Sequence, residues 1–332
     1  MPPRVLPWNA EIRLDGPAAD SVMLLAGFGS GPETLRELAE HVRAATNGTV
    51  LVCSLARHTG NERAFHRSRS WHYFRDAERR FLEFWGEQGR PIHLGGYSTG
   101  ALVALVVASR HPSKVAGLVM MSPALRVSKT ANQLVGYAFG SIYYVALPAG
   151  LLASALVIAW HARRRGWTRQ RRWFGELGSL AVFATAALGL RNMTVPLSDG
   201  GPMTRDGEEV LPPHFARATL ASGSTLVPLQ LVARWRLGRL SLPVCLVFGE
   251  LDQVVDVRFG TLQAAGHHHA ELHIVPRAPH RVVGEAECHA IVADFVTRTR
   301  RNAVATQPAN LDEEALPDTD LEQADMGPPS QP

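Results

Sequence analysis

Apolar and polar positions alternate along this chain in blocks that predict strands and helices in turn. Residues 21–26, 50–54, 91–96, 115–120, 242–248 and 270–275 are short, nearly continuous apolar runs. Runs of that length between turn residues predict strands buried on both faces, as in a parallel sheet. Between them lie helical patterns. Over 32–42, Leu35, Leu38 and Val42 recur at three- and four-residue spacing, and Pro32 suits a first turn. Residues 63–88 predict a helix whose aromatics, among them Tyr73, Phe81 and Phe84, face the sheet. Residues 101–107 predict an apolar helix, and 284–298 a final one. Strands alternating with helices predict an α/β fold, a mostly parallel sheet flanked by helices.

The alternation breaks between the strand at 115–120 and the one beginning near Pro243, where over a hundred residues exceed what a connection needs. Residues 131–160 carry no charge, and a second apolar run spans 177–190. Between them stand Arg163, Arg164, Arg165, Arg169, Arg171 and Arg172, with Trp160, Trp167 and Trp173. An uncharged run longer than about 18 residues is a transmembrane candidate by length. A single span would separate the chemistry-bearing residues before the run from those after it. A hairpin would need the short second run as a span and would carry six arginines away from a cytoplasmic domain, against the usual charge bias. Two readings remain open: apolar helices lying on an anionic membrane surface through residues 131–190, or a soluble cap over the cleft.

Composition narrows the class. The net charge is +4, and Lys114 and Lys129 are the only lysines, so the basic excess is arginine by composition and does not predict nucleic-acid binding. Cys53, Cys245 and Cys288 fall in predicted apolar elements and read as reduced thiols, neither a disulfide framework nor a metal site. His267, His268 and His269 cannot all face one ion, lack acidic or thiol neighbours at ligand spacing, and read as a solvated loop. The N-terminus shows no signal-peptide pattern, which predicts a cytoplasmic protein, on the inner face of the membrane if it docks there. Residues 302–332 hold seven acids, no base and five prolines, the pattern of a disordered acidic tail.

The candidate chemistry sits at strand ends. Gly96-Tyr97-Ser98-Thr99-Gly100 lies between a predicted strand and a predicted helix, the setting of a tight turn that lifts a serine hydroxyl off a sheet edge. A serine needs a base, and the base an orienting acid. Asp252 follows the strand at 242–248 and His280 follows the strand at 270–275, so all three residues fall at one sheet edge. Asp256 and His289 are the rival acid and base. Arg57, His58, Arg67 and Arg69 read as a solvated loop. Gly27-Phe28-Gly29-Ser30-Gly31 opens the helix at 32–42. The turn can aim the Phe28 amide, with that of Thr99, at a developing oxyanion. It lacks the third glycine and the following acid of a dinucleotide site, so nicotinamide binding is not expected.

These motifs resemble the α/β-hydrolase family, and within it bacterial carboxylesterases and monoacylglycerol-lipase-like serine hydrolases. The resemblance covers about residues 18–128 and 240–300. It rests on Gly96 to Gly100, on 249–255 with the acid, on Pro279-His280 and on Gly27-Phe28-Gly29. It departs at Ala26, where the family usually has histidine, and at Pro279, where a small polar residue is common. A serine at the turn argues against the family's dehalogenases and epoxide hydrolases, which use a carboxylate there. The resemblance implies a hydrolase core at 1–128 and 240–300, a helical apolar cap at 129–239 and a tail at 301–332. The implied chemistry is a Ser98–His280–Asp252 acyl-enzyme mechanism on lipid-like carboxylic esters, with Gly27, Gly29, Gly96 and Gly100 shaping the turns and no metal or cofactor. An acyl-thioesterase with the same residues, or a catalytically silent homologue that anchors to a membrane or partner, are the alternatives.

Overall fold

The computed structural model describes residues 4–9, 11–128, 194–197, 203–205, 208–211 and 213–306. The apolar runs at 131–160 and 177–190, the arginine cluster between them and most of the acidic tail lie outside the described residues.

In chain order the elements begin with β1 (Arg4–Val5), β2 (Glu11–Leu14) and β3 (Ala18–Leu25), followed by α1 (Arg36–Thr46) and β4 (Gly48–Cys53). Next come α2 (Glu62–His66), α3 (Ser70–Gln88), β5 (Ile92–Tyr97), α4 (Thr99–Arg110) and β6 (Val115–Met121). The short strands β7 (Thr194–Pro196), β8 (Met203–Arg205), β9 (Glu208–Leu211) and β10 (Arg217–Thr219) precede α5 (Leu220–Gly223) and α6 (Leu226–Leu237). The chain then runs through β11 (Val244–Gly249), α7 (Val257–Ala265), β12 (Ala270–Val275) and α8 (Ala286–Thr306).

A seven-stranded sheet in the order β12-β11-β6-β5-β3-β4-β2 forms the centre. Every pairing in it is parallel except β2 against β4 at the edge. The continuous apolar runs have the reason the sequence suggests. Along β3, Val22 and Leu24 pack with α1 and α8, while Met23 and Leu25 pack with α3 and α4 on the other face. Neither face meets water, so no polar alternation survives. After β3 the chain goes one way to β4 and then returns to place β5 on the other side of β3. Loops leaving β3 and β5 therefore diverge at a crevice above the carboxyl ends of the strands, where ligands of open α/β sheets bind.

The differences from the expected elements have physical causes. The helix expected over 63–88 is two helices. At the break, the buried Ser68 hydroxyl bonds the Tyr73 hydroxyl at 2.5 Å, and Arg69 leaves the helical conformation to cap α3. Within α3, Tyr73, Phe81 and Phe84 are buried as expected, but Trp71 is exposed. Inside the segment assigned to the cap, α6 packs on the main core: Leu229, Ala233 and Leu237 join the cluster that holds α4, and Gln230 Nε2 donates to the Ala124 carbonyl at 2.9 Å. His267 is buried rather than solvated; its Nδ1 accepts from the His269 amide at 3.2 Å, while His268 and His269 stay exposed.

Two other buried histidines link the fold to pH. His58, expected in a solvated loop, is wholly buried among Phe28, Phe65, Tyr73 and Phe215, and its Nδ1 donates to the Ala56 carbonyl at 3.0 Å. His93 on β5 donates from Nε2 to the Thr299 hydroxyl at 2.7 Å. Burial pushes both imidazoles down from 6.5 to about 4. Between those values the unfolded chain takes up more protons than the folded one, so stability falls as pH drops through that window. Tm is therefore expected to decline steeply between pH 6.5 and pH 4, and His93→Gln to flatten that decline, as read by thermal melting across pH.

Candidate active site

The turn after β5 is built by close backbone approach. A side chain at Gly96 would put its Cβ 2.4 Å from the Gly100 carbonyl carbon, and one at Gly100 would lie 2.3 Å from the Leu25 carbonyl oxygen. Only hydrogen fits at both, so α4 starts pressed against the end of β3. Ser98 between them takes φ 53° and ψ −114°, a region that costs a non-glycine residue of order 1–3 kcal/mol. Neighbouring strands fix this conformation. The Ser98 amide donates to the Met121 carbonyl at 2.8 Å, and its own carbonyl accepts from the Ala124 amide at 3.2 Å.

The structure brings Ser98, Asp252 and His280 together in one hydrogen-bonded row. His280 Nδ1 donates to Asp252 Oδ2 at 2.8 Å, which leaves Nε2 to accept from the Ser98 hydroxyl at 3.1 Å. The Asp252 side chain is fully shielded, and its other oxygen, Oδ1, accepts from the Val254 and Val255 amides at 2.8 and 2.9 Å. The carboxylate thus takes three donors and turns one oxygen toward the imidazole. Its loop is clamped on both sides. The Leu251 amide donates to the Ala278 carbonyl at 2.9 Å, the Asp256 amide to the Arg126 carbonyl at 2.8 Å, and the Ser128 hydroxyl to the Gln253 carbonyl.

The rivals lie elsewhere. Asp256 caps α7, accepting from the Phe259 amide at 3.0 Å. His289 is buried in α8 with Nε2 donating to the Val283 carbonyl at 2.8 Å, and burial pushes its pKa down.

Phe28 and Thr99 line the same cavity as Ser98 and His280, a space of about 200 Å³. Thr99 is the first residue of α4, where an amide has no acceptor within its own helix. Gly27 lies against the Tyr97 ring, and Gly29 has φ +79°. This turn is pinned from outside the core sheet: the Phe215 amide donates to the Gly29 carbonyl at 2.8 Å and the Gly31 amide to the Pro213 carbonyl at 3.0 Å. Leu197 and Leu226, from the long segment after β6, complete the apolar wall with Val254 and Val255, and His214 of the same segment lines the cavity beside them. The sequence reading did not mark Tyr97. Its ring centre lies 5.2 Å from that of His280, and burial pushes its phenol well above the ordinary tyrosine range. The only sequence signal was its place beside Ser98. Among the described residues no group of histidine, cysteine and carboxylate side chains could hold a metal ion, and no helix is long and apolar enough to cross a membrane.

The chain matches the alpha/beta hydrolase family over residues 22–295 and belongs to that family. No curated protein matches it in sequence. A structure of the metagenome-derived lipolytic enzymes LipS and LipT is similar with a TM-score of 0.63 at 16% identity, covering 90% of this chain and 100% of the other. A soluble variant of monoglyceride lipase from Saccharomyces cerevisiae gives 0.60 at 14%, covering 88% and 91%. The thioesterase domain from the curacin biosynthetic pathway gives 0.51 at 16%, covering 86% and 94%. At these identities the likeness is one of fold.

Proposed function

We propose that the protein is a serine hydrolase of carboxylic esters whose acyl group is apolar. The observation that carries this reading is the row from Asp252 through His280 to Ser98, at 2.8 and 3.1 Å, at the mouth of an apolar cavity. In this reading His280 Nε2 takes the hydroxyl proton as Ser98 Oγ attacks the ester carbonyl. Asp252 holds the imidazole with its proton on Nδ1 and stabilises the imidazolium. The amides of Phe28 and Thr99 stabilise the oxyanion as the tetrahedral intermediate forms. His280 returns the proton to the departing alcohol, leaving an acyl group on Ser98. It then deprotonates a water that releases the acid and restores the enzyme. The apolar wall supports a lipid-like acyl chain such as that of a monoacylglycerol or lysophospholipid. No step calls for a metal or organic cofactor.

A thioester would pass through the same steps, and one of the solved structures of similar fold is a thioesterase domain. The test is covalent labelling by a fluorophosphonate, followed by turnover of p-nitrophenyl esters and acyl thioesters of increasing chain length. Labelling at Ser98, with esters turned over faster than matched thioesters and medium chains faster than acetate, is the expected result. Absence of labelling in folded protein sinks the reading.

A further inference from the structure

Helix α6 buries one face and leaves the other bare. Leu229, Ala233 and Leu237 enter the core, whereas Leu231, Val232 and Trp235 are 55%, 43% and 52% exposed. Residues four apart on a helix are neighbours, so Leu231 and Trp235 form a stripe with Val232 beside it. Single exposed apolar residues are ordinary, but three on one helix face, one of them a tryptophan, make a patch.

Along the chain, α6 and the segments on either side of it carry charge of one sign. From Glu209 to Glu250 the sequence holds no acidic residue between the two, while Arg217, Arg234, Arg236 and Arg239 fall inside that stretch. The guanidinium groups of Arg236 and Arg239 lie over the Trp235 ring, 4.8 and 4.2 Å from its centre. A half-exposed indole flanked by two arginines joins an apolar body to a cationic rim, as residues at a lipid headgroup boundary do. A second copy of the chain fits less well, because a two-fold contact here would face each arginine pair with its own copy. Leu226, at the first turn of the same helix, lines the cavity that holds Ser98. Docking by α6 would therefore hold the cavity within about 18 Å, the helix length, of the lipid.

We propose that α6 docks the protein on an anionic lipid bilayer, with Leu231, Val232 and Trp235 entering the interface and Arg236 and Arg239 on the headgroups. The inference does not rest on the catalytic reading, and Ser98→Ala protein should bind as the wild type does.

The test is flotation of the full chain with phosphatidylcholine vesicles with and without phosphatidylglycerol. The wild type should float with the anionic vesicles, less so at high salt. Leu231→Gln, Val232→Gln and Trp235→Gln together should weaken binding by at least about tenfold. Arg236→Gln with Arg239→Gln should weaken it by about fivefold per arginine on anionic vesicles, with little change on neutral ones. None of these side chains lines the cavity, so turnover of a short soluble ester should persist and report the fold. Should the triple variant fail to fold, the arginine pair alone decides. Three results would overturn the proposal. The wild type could stay in the soluble fraction with excess anionic lipid. The variants could float as the wild type does, which would move the contact to another surface such as residues 131–190. The wild type could also run as a dimer that the triple variant dissolves into monomers.

Discussion

Replacing Ser98 with alanine is expected to lower ester turnover by about 10⁶-fold while Tm stays where it is. The two halves of that expectation come from different parts of the turn. The hydroxyl makes its hydrogen bond to His280 Nε2 at 3.1 Å, and losing it removes the group that would carry the acyl intermediate. The backbone at residue 98 is held by other means, through the Met121 carbonyl, the Ala124 amide and the absence of side chains at Gly96 and Gly100. Alanine meets the same steric cost at φ 53° as serine, so the strain does not change. Purified variant assayed on a p-nitrophenyl ester, with melting measured in parallel, gives both numbers. Turnover equal to wild type in folded protein would remove Ser98 from the chemistry.

The parts of the site legible in the sequence are those whose chemistry is local. The glycines around Ser98 are there because a strand and a helix meet within one turn, and that requirement is written in five consecutive residues. The central strands are legible because burial on both faces leaves an unbroken apolar run. The edge strand β2 had a signal too, the alternation Glu11-Ile12-Arg13-Leu14, but four residues beside a polar N-terminus carry little weight. What sequence could not give is burial assembled from distant segments. His58 sits in a loop with Arg57, Thr59 and Gly60, which looks solvated. It is enclosed by rings from residues 28, 65, 73 and 215, four separate places in the chain.

Long-range pairing hid the rest of the site's frame. Nothing in Pro213-His214-Phe215 says that these residues lie along Gly29 and Gly31, yet they pin the turn that carries Phe28. Phe215 adds a parallel stack on Phe65, with ring centres 4.2 Å apart. Asp256 shows the opposite case. As an acid four residues from Asp252 it was a rival, but the pattern of an acid opening a helix was already present at Asp256-Val257-Arg258-Phe259, and the structure uses it as a cap.

His280→Ala should be nearly as damaging as the serine change, about 10⁶-fold in turnover, because it removes the base that takes and returns the proton. Asp252→Asn should cost less, about 10⁴-fold, and the geometry explains how. Oδ1 of Asp252 faces two backbone donors, Val254 and Val255, so an asparagine would keep its carbonyl oxygen there and turn its amide nitrogen toward His280. That nitrogen donates. His280 Nδ1, now 2.8 Å from a donor instead of an acceptor, would give up its proton, and the proton would sit on Nε2. A protonated Nε2 cannot accept from the Ser98 hydroxyl, so attack would begin with the wrong tautomer. Asp256→Asn is the matched control, since asparagine caps a helix as well as aspartate does and this side chain does not reach His280. His289→Ala is the second control. It should lower Tm by leaving the Val283 carbonyl without its donor, with turnover of the surviving folded protein unchanged. Activity lost with His289→Ala and kept with His280→Ala, both proteins being folded, would mean that the base has been placed on the wrong residue.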